Sequence, residues 1–309
     1  MKMRWKHCRN SRQRKRYRGP LIAAAGSARG KTHPSMKRTN KKSLSVKPFI
    51  QRRTDVHAPR LLVVGNWKMN LTMHRSAALA NAFARVVVPG SIDAAVCPDY
   101  TALSTVIERL DSSRISVGAQ DVSWGRPGAL TGEVSAENLV AIGCRYVIIG
   151  HSERRRECYE TDRMVQQKIF VAMGHGLSPI LCVGESRDER RRRGQFHVVS
   201  QQVHRALHNV PPPRHRQELV VAYEPIWAIS PGGPASPADA LEMAHVIHQA
   251  LVDTYGERIA RTATRVLYGG SVDARNVRDF ADGETVQGVL VGRDSLNASS
   301  FSAILKALA

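Results

Sequence analysis

The sequence is short of several things. Among its 309 residues are five cysteines, 6% aromatic residues and no long apolar run. The cysteines (Cys8, Cys97, Cys144, Cys158 and Cys182) are odd in number and widely spaced, with no Cys-x-x-Cys pair. That spacing excludes a disulfide framework and a zinc ribbon, and reads as reduced thiols in a cytoplasmic protein. No stretch approaches the roughly 18 apolar residues of a membrane span. The run from Leu21 to Ala25 is also shorter than the ~7–15 residue core of a secretory signal. Acids are missing from one region only. Residues 1–60 hold 19 Lys and Arg against a single acid, Asp55, whereas residues 61–309 hold 27 basic against 25 acidic side chains. The formal charge of +20 therefore belongs almost entirely to the start of the chain. The near-neutral remainder has too little charge to neutralise a phosphate backbone, which excludes a generic nucleic-acid-binding domain there.

Lysine is scarce too. After Arg60 there are three (Lys68, Lys168, Lys306) beside 24 arginines. The first 60 residues carry 8 Lys and 11 Arg. Residues 1–59, rich in Arg, Lys, Ser and Pro and without apolar periodicity, read as a disordered basic extension, and residues 60–309 as one folded domain. Three origins fit the extension. It is an upstream start not belonging to the gene, an organelle transit peptide, or a basic arm for RNA or a charged surface. The change from Lys to Arg near Arg60 favours the first.

From Leu61 onward, short β-branched apolar runs recur: Leu61–Val64, Ala94–Cys97, Ile115–Gly118, Tyr146–Ile149, Ser178–Val183, Leu219–Tyr223, Arg265–Tyr268 and Val286–Val291. Stretches with helical spacing lie between them, as after Met73 and Asp239. Runs apolar throughout suit strands buried on both faces of a parallel sheet. Eight such strands alternating with helices predict an α/β fold, a single (β/α)8 barrel, with a doubly wound sheet as the alternative.

In either architecture a site belongs at the carboxyl ends of the strands. Those ends read Asn66-Trp67-Lys68-Met69-Asn70, Gly150-His151-Ser152-Glu153-Arg154-Arg155, Tyr223-Glu224-Pro225-Ile226-Trp227-Ala228, Tyr268-Gly269-Gly270-Ser271-Val272 and Gly292-Arg293-Asp294. A Lys, a His and a Glu thus stand at three strand ends. Two glycine turns that open predicted helices offer backbone N–H groups to an anion such as phosphate. The first four of these segments, together with Gly118–Asp121 and Gly128–Glu133, resemble the signature motifs of the triose-phosphate isomerase family, and the resemblance runs from about Leu61 to Ala309. Each string alone is weak; four in the family's order, each at a strand end, are specific.

The resemblance implies an aldose–ketose isomerase acting on a small phosphorylated sugar, without cofactor or metal, in glycolysis and gluconeogenesis. It implies Glu224 as general base, His151 as neutral electrophile and Lys68 as the cation for the substrate. Burial is expected to raise the pKa of Glu224. Asn66, Ser230, Ser271, Gly292 and Arg293 are implied as substrate-binding residues. Glu153 positions Lys68 or relays protons, or is a plain ion pair. Pro225, Ile226, Trp227, Ala228, Ile229, Ser230, Pro231 and Gly232 form the implied lid. A homodimer is implied, with the loop around Thr131 reaching into the partner, and Glu160 with Arg154 as a structural ion pair nearby.

Two departures stand out. The lid tip reads Ile229-Ser230-Pro231-Gly232, where the family usually has Ile-Gly-Thr-Gly; Pro231 removes an N–H and restricts Ser230. At the eighth strand Arg293 stands where the family usually has glycine, and its side chain either adds a cation near the phosphate or points into solvent. These departures keep a four-carbon ketose phosphate open as substrate. A reading of another class, a basic-arm RNA- or surface-binding protein carrying a barrel, rests on the extension alone. The run Arg190–Arg193 reads as a solvated helix face. His204 and His208, four residues apart, lack a third ligand. Cys182 has no base to make it a nucleophile, and the isomerisation needs none.

Overall fold

A computed structural model describes residues 60–214, 216–229 and 235–309. The expected extension, residues 1–59, lies outside the described residues. The eight apolar runs are strands: β1 (Leu61–Asn66), β2 (Ile92–Cys97), β3 (Ile115–Ala119), β4 (Tyr146–Ile149), β5 (Ser178–Val183), β6 (Leu219–Tyr223), β7 (Thr264–Tyr268) and β8 (Gly288–Val291). Neighbours run parallel in sequence order, and β8 pairs back onto β1, so the sheet closes into a barrel. Closure removes the doubly wound alternative, which needs two free edges. β8 starts at Gly288, two residues later than the apolar run. There φ is +141°, and a Cβ would lie 1.9 Å from the Leu62 carbonyl oxygen, so only glycine lets β1 and β8 meet.

The helices are α1 (Met73–Phe83), α2 (Leu103–Leu110), α3 (Ala136–Ala141), α4 (Ser152–Glu157), α5 (Asp162–Gly174), α6 (Arg187–Arg191), α7 (Gln195–Leu207), α8 (Ile226–Ile229), α9 (Pro237–Tyr255), α10 (Glu257–Ala263), α11 (Val277–Phe280) and α12 (Ala298–Leu308). Local chemistry sets their starts. Ser236 Oγ accepts from the Asp239 N–H at 3.1 Å, and the Asp239 carboxylate accepts from the Ser236 N–H at 3.2 Å, with Pro237 opening α9. Such a cap is worth about 1 kcal/mol. None of the described helices is long and apolar enough to cross a membrane.

Strand alternation divides the core in two. Leu62, Val64, Tyr146, Ile148, Ile180, Cys182, Val220, Ala222 and Leu267 fill the barrel, while Val63, Val147, Leu181, Val221 and Val266 pack outward against the helices. Each fully buried aliphatic side chain contributes about 1.5–3 kcal/mol. The inner row of β6 continues past both ends of the strand. Glu218, Val220, Ala222 and Glu224 share one face, so one carboxylate lies at the amino-terminal floor and one at the carboxyl-terminal mouth.

The floor is closed by ions. Arg265 donates to Glu218 through Nε (2.5 Å) and Nη2 (2.6 Å), and through Nη1 to Asp93 (3.0 Å) and the Arg60 carbonyl (2.8 Å). The Tyr146 hydroxyl donates to Glu218 Oε1 at 2.7 Å. Burial alone would raise the Glu218 carboxyl, but the Arg265 fork outweighs it and holds Glu218 below the usual carboxylate range.

Candidate active site

The inner rows of β1, β4 and β6 bring three chemical groups to the mouth. Leu62 and Val64 point inward, so Asn66 does as well, and it is buried. Lys68 follows with a left-handed backbone, φ +51°. A non-glycine residue held there costs of order 1–3 kcal/mol, and the surroundings fix it from both sides. Asn66 Oδ1 accepts from the Lys68 N–H at 3.1 Å, while the Gln120 amide donates to the Lys68 carbonyl (3.0 Å) and the Cys97 carbonyl (2.9 Å). Lys68 Nζ then meets Glu153 Oε1 at 2.7 Å.

On β4 the alternation from Tyr146 and Ile148 would turn residue 150 inward. Gly150 breaks it with φ +75°, and His151 reaches the mouth instead. Both ring nitrogens of His151 are engaged. Nδ1 accepts from the Glu153 N–H at 3.2 Å, at the start of α4, and Nε2 lies 3.0 Å from Glu224 Oε1. A ring that accepts at Nδ1 and donates at Nε2 is the neutral tautomer. Burial pushes the His151 pKa down, but the Glu224 carboxylate outweighs burial and raises it. The Glu153 carboxylate, 3.6 Å from Nδ1, acts in the same upward direction, whereas the Glu153 N–H that Nδ1 accepts favours the tautomer with its proton on Nε2, facing Glu224.

Glu224 is buried, and its Oε2 accepts from the Ser152 N–H at 3.0 Å. Burial acts to raise its pKa, as the sequence implied. His151 and the Ser152 amide together outweigh burial, so the direction is the opposite: Glu224 is held below the usual range. The base is thus ionised in the substrate-free site. The Cys182 thiol is pushed well up by burial and then by Glu224, which keeps it protonated and inert.

The prospective phosphate end is built from turns. Ser271 is exposed, and its hydroxyl donates to the Ala228 carbonyl at 3.5 Å. After Gly292 comes one turn of 3₁₀ helix, Arg293–Leu296, and α11 starts only at Val277, so neither glycine turn opens directly into an α-helix as expected. No heavy atom lies within 4 Å of the Cβ position of Gly292, leaving open space beside it. The Arg293 side chain is exposed and forms no ion pair among the described residues. Of the expected lid, Pro225 leads into α8. Ser230, Pro231 and Gly232 lie outside the described residues.

Other expectations change in detail. The Glu160–Arg154 pair is half of a four-membered cluster. Buried Lys168 meets both Asp121 oxygens (2.6 and 2.8 Å) and Glu160, and Arg154 Nη2 meets Asp121 Oδ2 at 2.7 Å. His204 and His208 do not converge: His204 faces Thr254 and Asp253, and His208 meets Asn209. The arginine run is not uniformly solvated, since Arg190 turns in against Glu185. Sequence reasoning missed two organisers, the half-buried Gln120 and the buried Glu185. Gln120 stood in a quoted motif without a role. Glu185 directly follows β5 in Val183-Gly184-Glu185, a strand end that was not read. It is fully buried and accepts from the Tyr223 hydroxyl (3.1 Å to each oxygen) and from Trp227 Nε1 (2.7 Å).

Known proteins bear on this arrangement. The sequence model of the triosephosphate isomerase family matches residues 61–308. The triosephosphate isomerase of Moorella thermoacetica is 43% identical over 246 residues, covering 80% of this chain and 98% of the relative. That of Chloroflexus aurantiacus is 44% identical over 245 residues, covering 79% and 97%. That of Thermus thermophilus is 43% identical over 247 residues, covering 80% and 98%. With eight strands closed into a barrel and Lys, His and Glu meeting at its mouth, the chain belongs to the triosephosphate isomerase family.

Proposed function

We propose that the protein interconverts dihydroxyacetone phosphate and D-glyceraldehyde 3-phosphate, with Glu224, His151 and Lys68 as its catalytic residues. The supporting observation is the 3.0 Å approach of His151 Nε2 to Glu224 Oε1, a carboxylate base and a neutral donor on one small volume. Glu224 takes a proton from the carbon beside the carbonyl. The C–H electrons form the C=C bond of an enediolate, and the carbonyl electrons move to oxygen, where Nε2–H stabilises and then protonates it. The His151 ring, having given up its proton, takes the one on the other hydroxyl. That oxygen becomes the new carbonyl as Glu224 returns its proton to the neighbouring carbon, and this completes the isomerisation. This division between Glu and neutral His is the one known for the family. When Glu224 turns from His151 to a substrate carbon it loses that hydrogen bond, and burial then raises its pKa, as a base must gain basicity to accept a proton. Lys68 supplies positive charge to the substrate, held by Glu153 until substrate arrives. Asn66 orients it. The Ser271 and Gly292 turns, Arg293 and Ser230 take the phosphate, and residues 225–232 cover it.

The reading extends to a homodimer in the cytoplasm, serving glycolysis and gluconeogenesis. Met69 is 93% exposed beside Lys68, and Leu130 is 43% exposed in the loop around Thr131, the pattern of apolar side chains awaiting a partner. Thr131→Arg is expected to lower dimer content in sedimentation and activity together; an active, fully dimeric variant counts against the loop's role. The decisive experiment compares kcat/KM on three- and four-carbon ketose phosphates. A clear preference for the three-carbon sugar is expected, and the reverse preference overturns the assignment.

A further inference from the structure

One arginine of the basic run touches both sides of the segment from Trp227 to Ser236. Arg190 Nη1 donates to Glu185 Oε1 at 3.0 Å, and its guanidinium carbon lies 4.7 Å from the centre of the Trp227 ring. Its Nη2 pairs with Asp239, in the first turn of α9. Neither partner is idle. Glu185 also holds Trp227 Nε1 at 2.7 Å, and Asp239 also accepts the Ser236 hydroxyl at 2.7 Å. From the same helix, Arg187 donates to the Trp227 carbonyl at 3.2 Å. The next residue, Ala228, offers the carbonyl that the Ser271 hydroxyl meets. A continuous path therefore runs from Arg190 through Trp227 and Ala228 to the proposed phosphate site.

We infer that Arg190 is a positioning residue for phosphate binding, spanning Trp227 and α9 so that Ala228 and Ser271 are held in register. This rests on the isomerase reading for what the phosphate belongs to, not for the contact itself. The role requires a planar fork that pairs in two directions while stacking on an indole face, which an ammonium cannot do. The neighbouring arginines do not share it: Arg191 pairs with Asp188 on its own helix, and Arg192 and Arg193 are exposed. The path differs from direct ligand contact, since Arg190 acts only through Trp227, Glu185 and Asp239.

The test uses full-length Arg190→Ala, Arg190→Lys and Asp239→Asn, with Arg191→Ala as control. Inorganic phosphate is the probe. Its inhibition constant against the isomerase is measured beside kcat and KM. Its effect on the fluorine resonance of Trp227 is followed in 5-fluorotryptophan protein, assigned through Trp227→Phe. Arg190→Ala is expected to weaken phosphate about tenfold and to lower kcat/KM by up to about 10²-fold, the scale of a small misplacement at a reacting centre. KM should rise more than kcat falls, and the pH profile should not move. The Trp227 resonance should respond to phosphate in the wild type and lose most of that response in Arg190→Ala. Arg190→Lys should fail to rescue, Asp239→Asn should weaken phosphate about threefold, on the scale of a single hydrogen bond, and Arg191→Ala should match the wild type. Wild-type phosphate affinity in Arg190→Ala, full rescue by lysine or an unaffected Asp239→Asn would each overturn the inference. Asp239 is partly exposed at a helix start, so its variant remains informative should Arg190→Ala not fold. The fluorine response needs no turnover, so a wild-type protein without isomerase activity would count against the function alone.

Discussion

The barrel carries buried charge at both ends, and the two ends are built differently. At the floor, Arg265 has every arm occupied: two bonds to Glu218, one to Asp93 and one to a backbone carbonyl. Its partners Glu218 and Asp93 also meet Tyr146 and Arg60, which belong to the same floor. At the mouth, each charged group has a partner that a ligand can replace. Lys68 holds Glu153, which is partly open to solvent, and Glu224 holds the His151 ring. Both ends depress a carboxylate on the inner face of the same strand, Glu218 and Glu224. The cause separates them. A guanidinium fork gives a pair that does nothing but stay formed. A histidine, one backbone amide and the Lys68 charge give a carboxylate ready to be redirected. Saturated pairing marks a structural network, and provisional pairing marks a site.

The comparison breaks most easily at Glu224. Glu224→Gln keeps the size of the side chain and an oxygen for the Ser152 N–H, but removes the base. A loss of about 10⁴-fold in kcat is expected, with phosphate inhibition little changed. If activity survives, the mouth is no more chemical than the floor. Next in size is Arg265→Met, which takes the close guanidinium fork from Glu218 and leaves Asp93 with Arg60 alone. A loss of about 3–4 kcal/mol in unfolding free energy is expected, read in urea, with kcat per folded molecule intact. A fall in kcat at unchanged stability would show that the two ends are coupled.

Much of this contrast was legible in the sequence, and the remainder was not for definite reasons. The strands announced themselves because runs such as Tyr146–Ile149 are buried on both faces, but such runs carry no alternation. Nothing in Leu61–Val64 says that Leu62 faces in and Val63 out. Lys68, His151 and Glu224 were found because each lies in a short motif at a strand end. Glu185 has no motif, and its importance comes from Tyr223, Trp227 and Arg190, which meet only in three dimensions. Arg190 was misread because four consecutive arginines on an exposed helix look alike until one finds an inward partner. The direction of the Glu224 shift failed similarly: burial is legible from sequence, whereas a histidine at 3.0 Å is not.

The smallest expected effect is also the sharpest separation of the two ends, because it tests the cause of the Glu218 shift. A carboxyl whose folded pKa is depressed releases its proton more readily in the folded than in the unfolded state. Its contribution to stability is then fully present above its unfolded value of about 4.3, and is lost as pH falls through the folded value. Unfolding free energy should therefore decline below about pH 5, where unfolded carboxylates begin to take up protons. Glu218→Gln should make that decline measurably shallower while lowering stability at neutral pH, because the amide cannot protonate and pairs Arg265 poorly. Glu224→Gln should also flatten the profile, because its carboxylate is held low by His151, the Ser152 amide and the Lys68 charge. Urea titrations of the three proteins from pH 7 to pH 3.5 give the comparison directly. Equal slopes for wild type and Glu218→Gln would mean that Arg265 does not hold Glu218 low, and that the floor is closed by packing instead of charge.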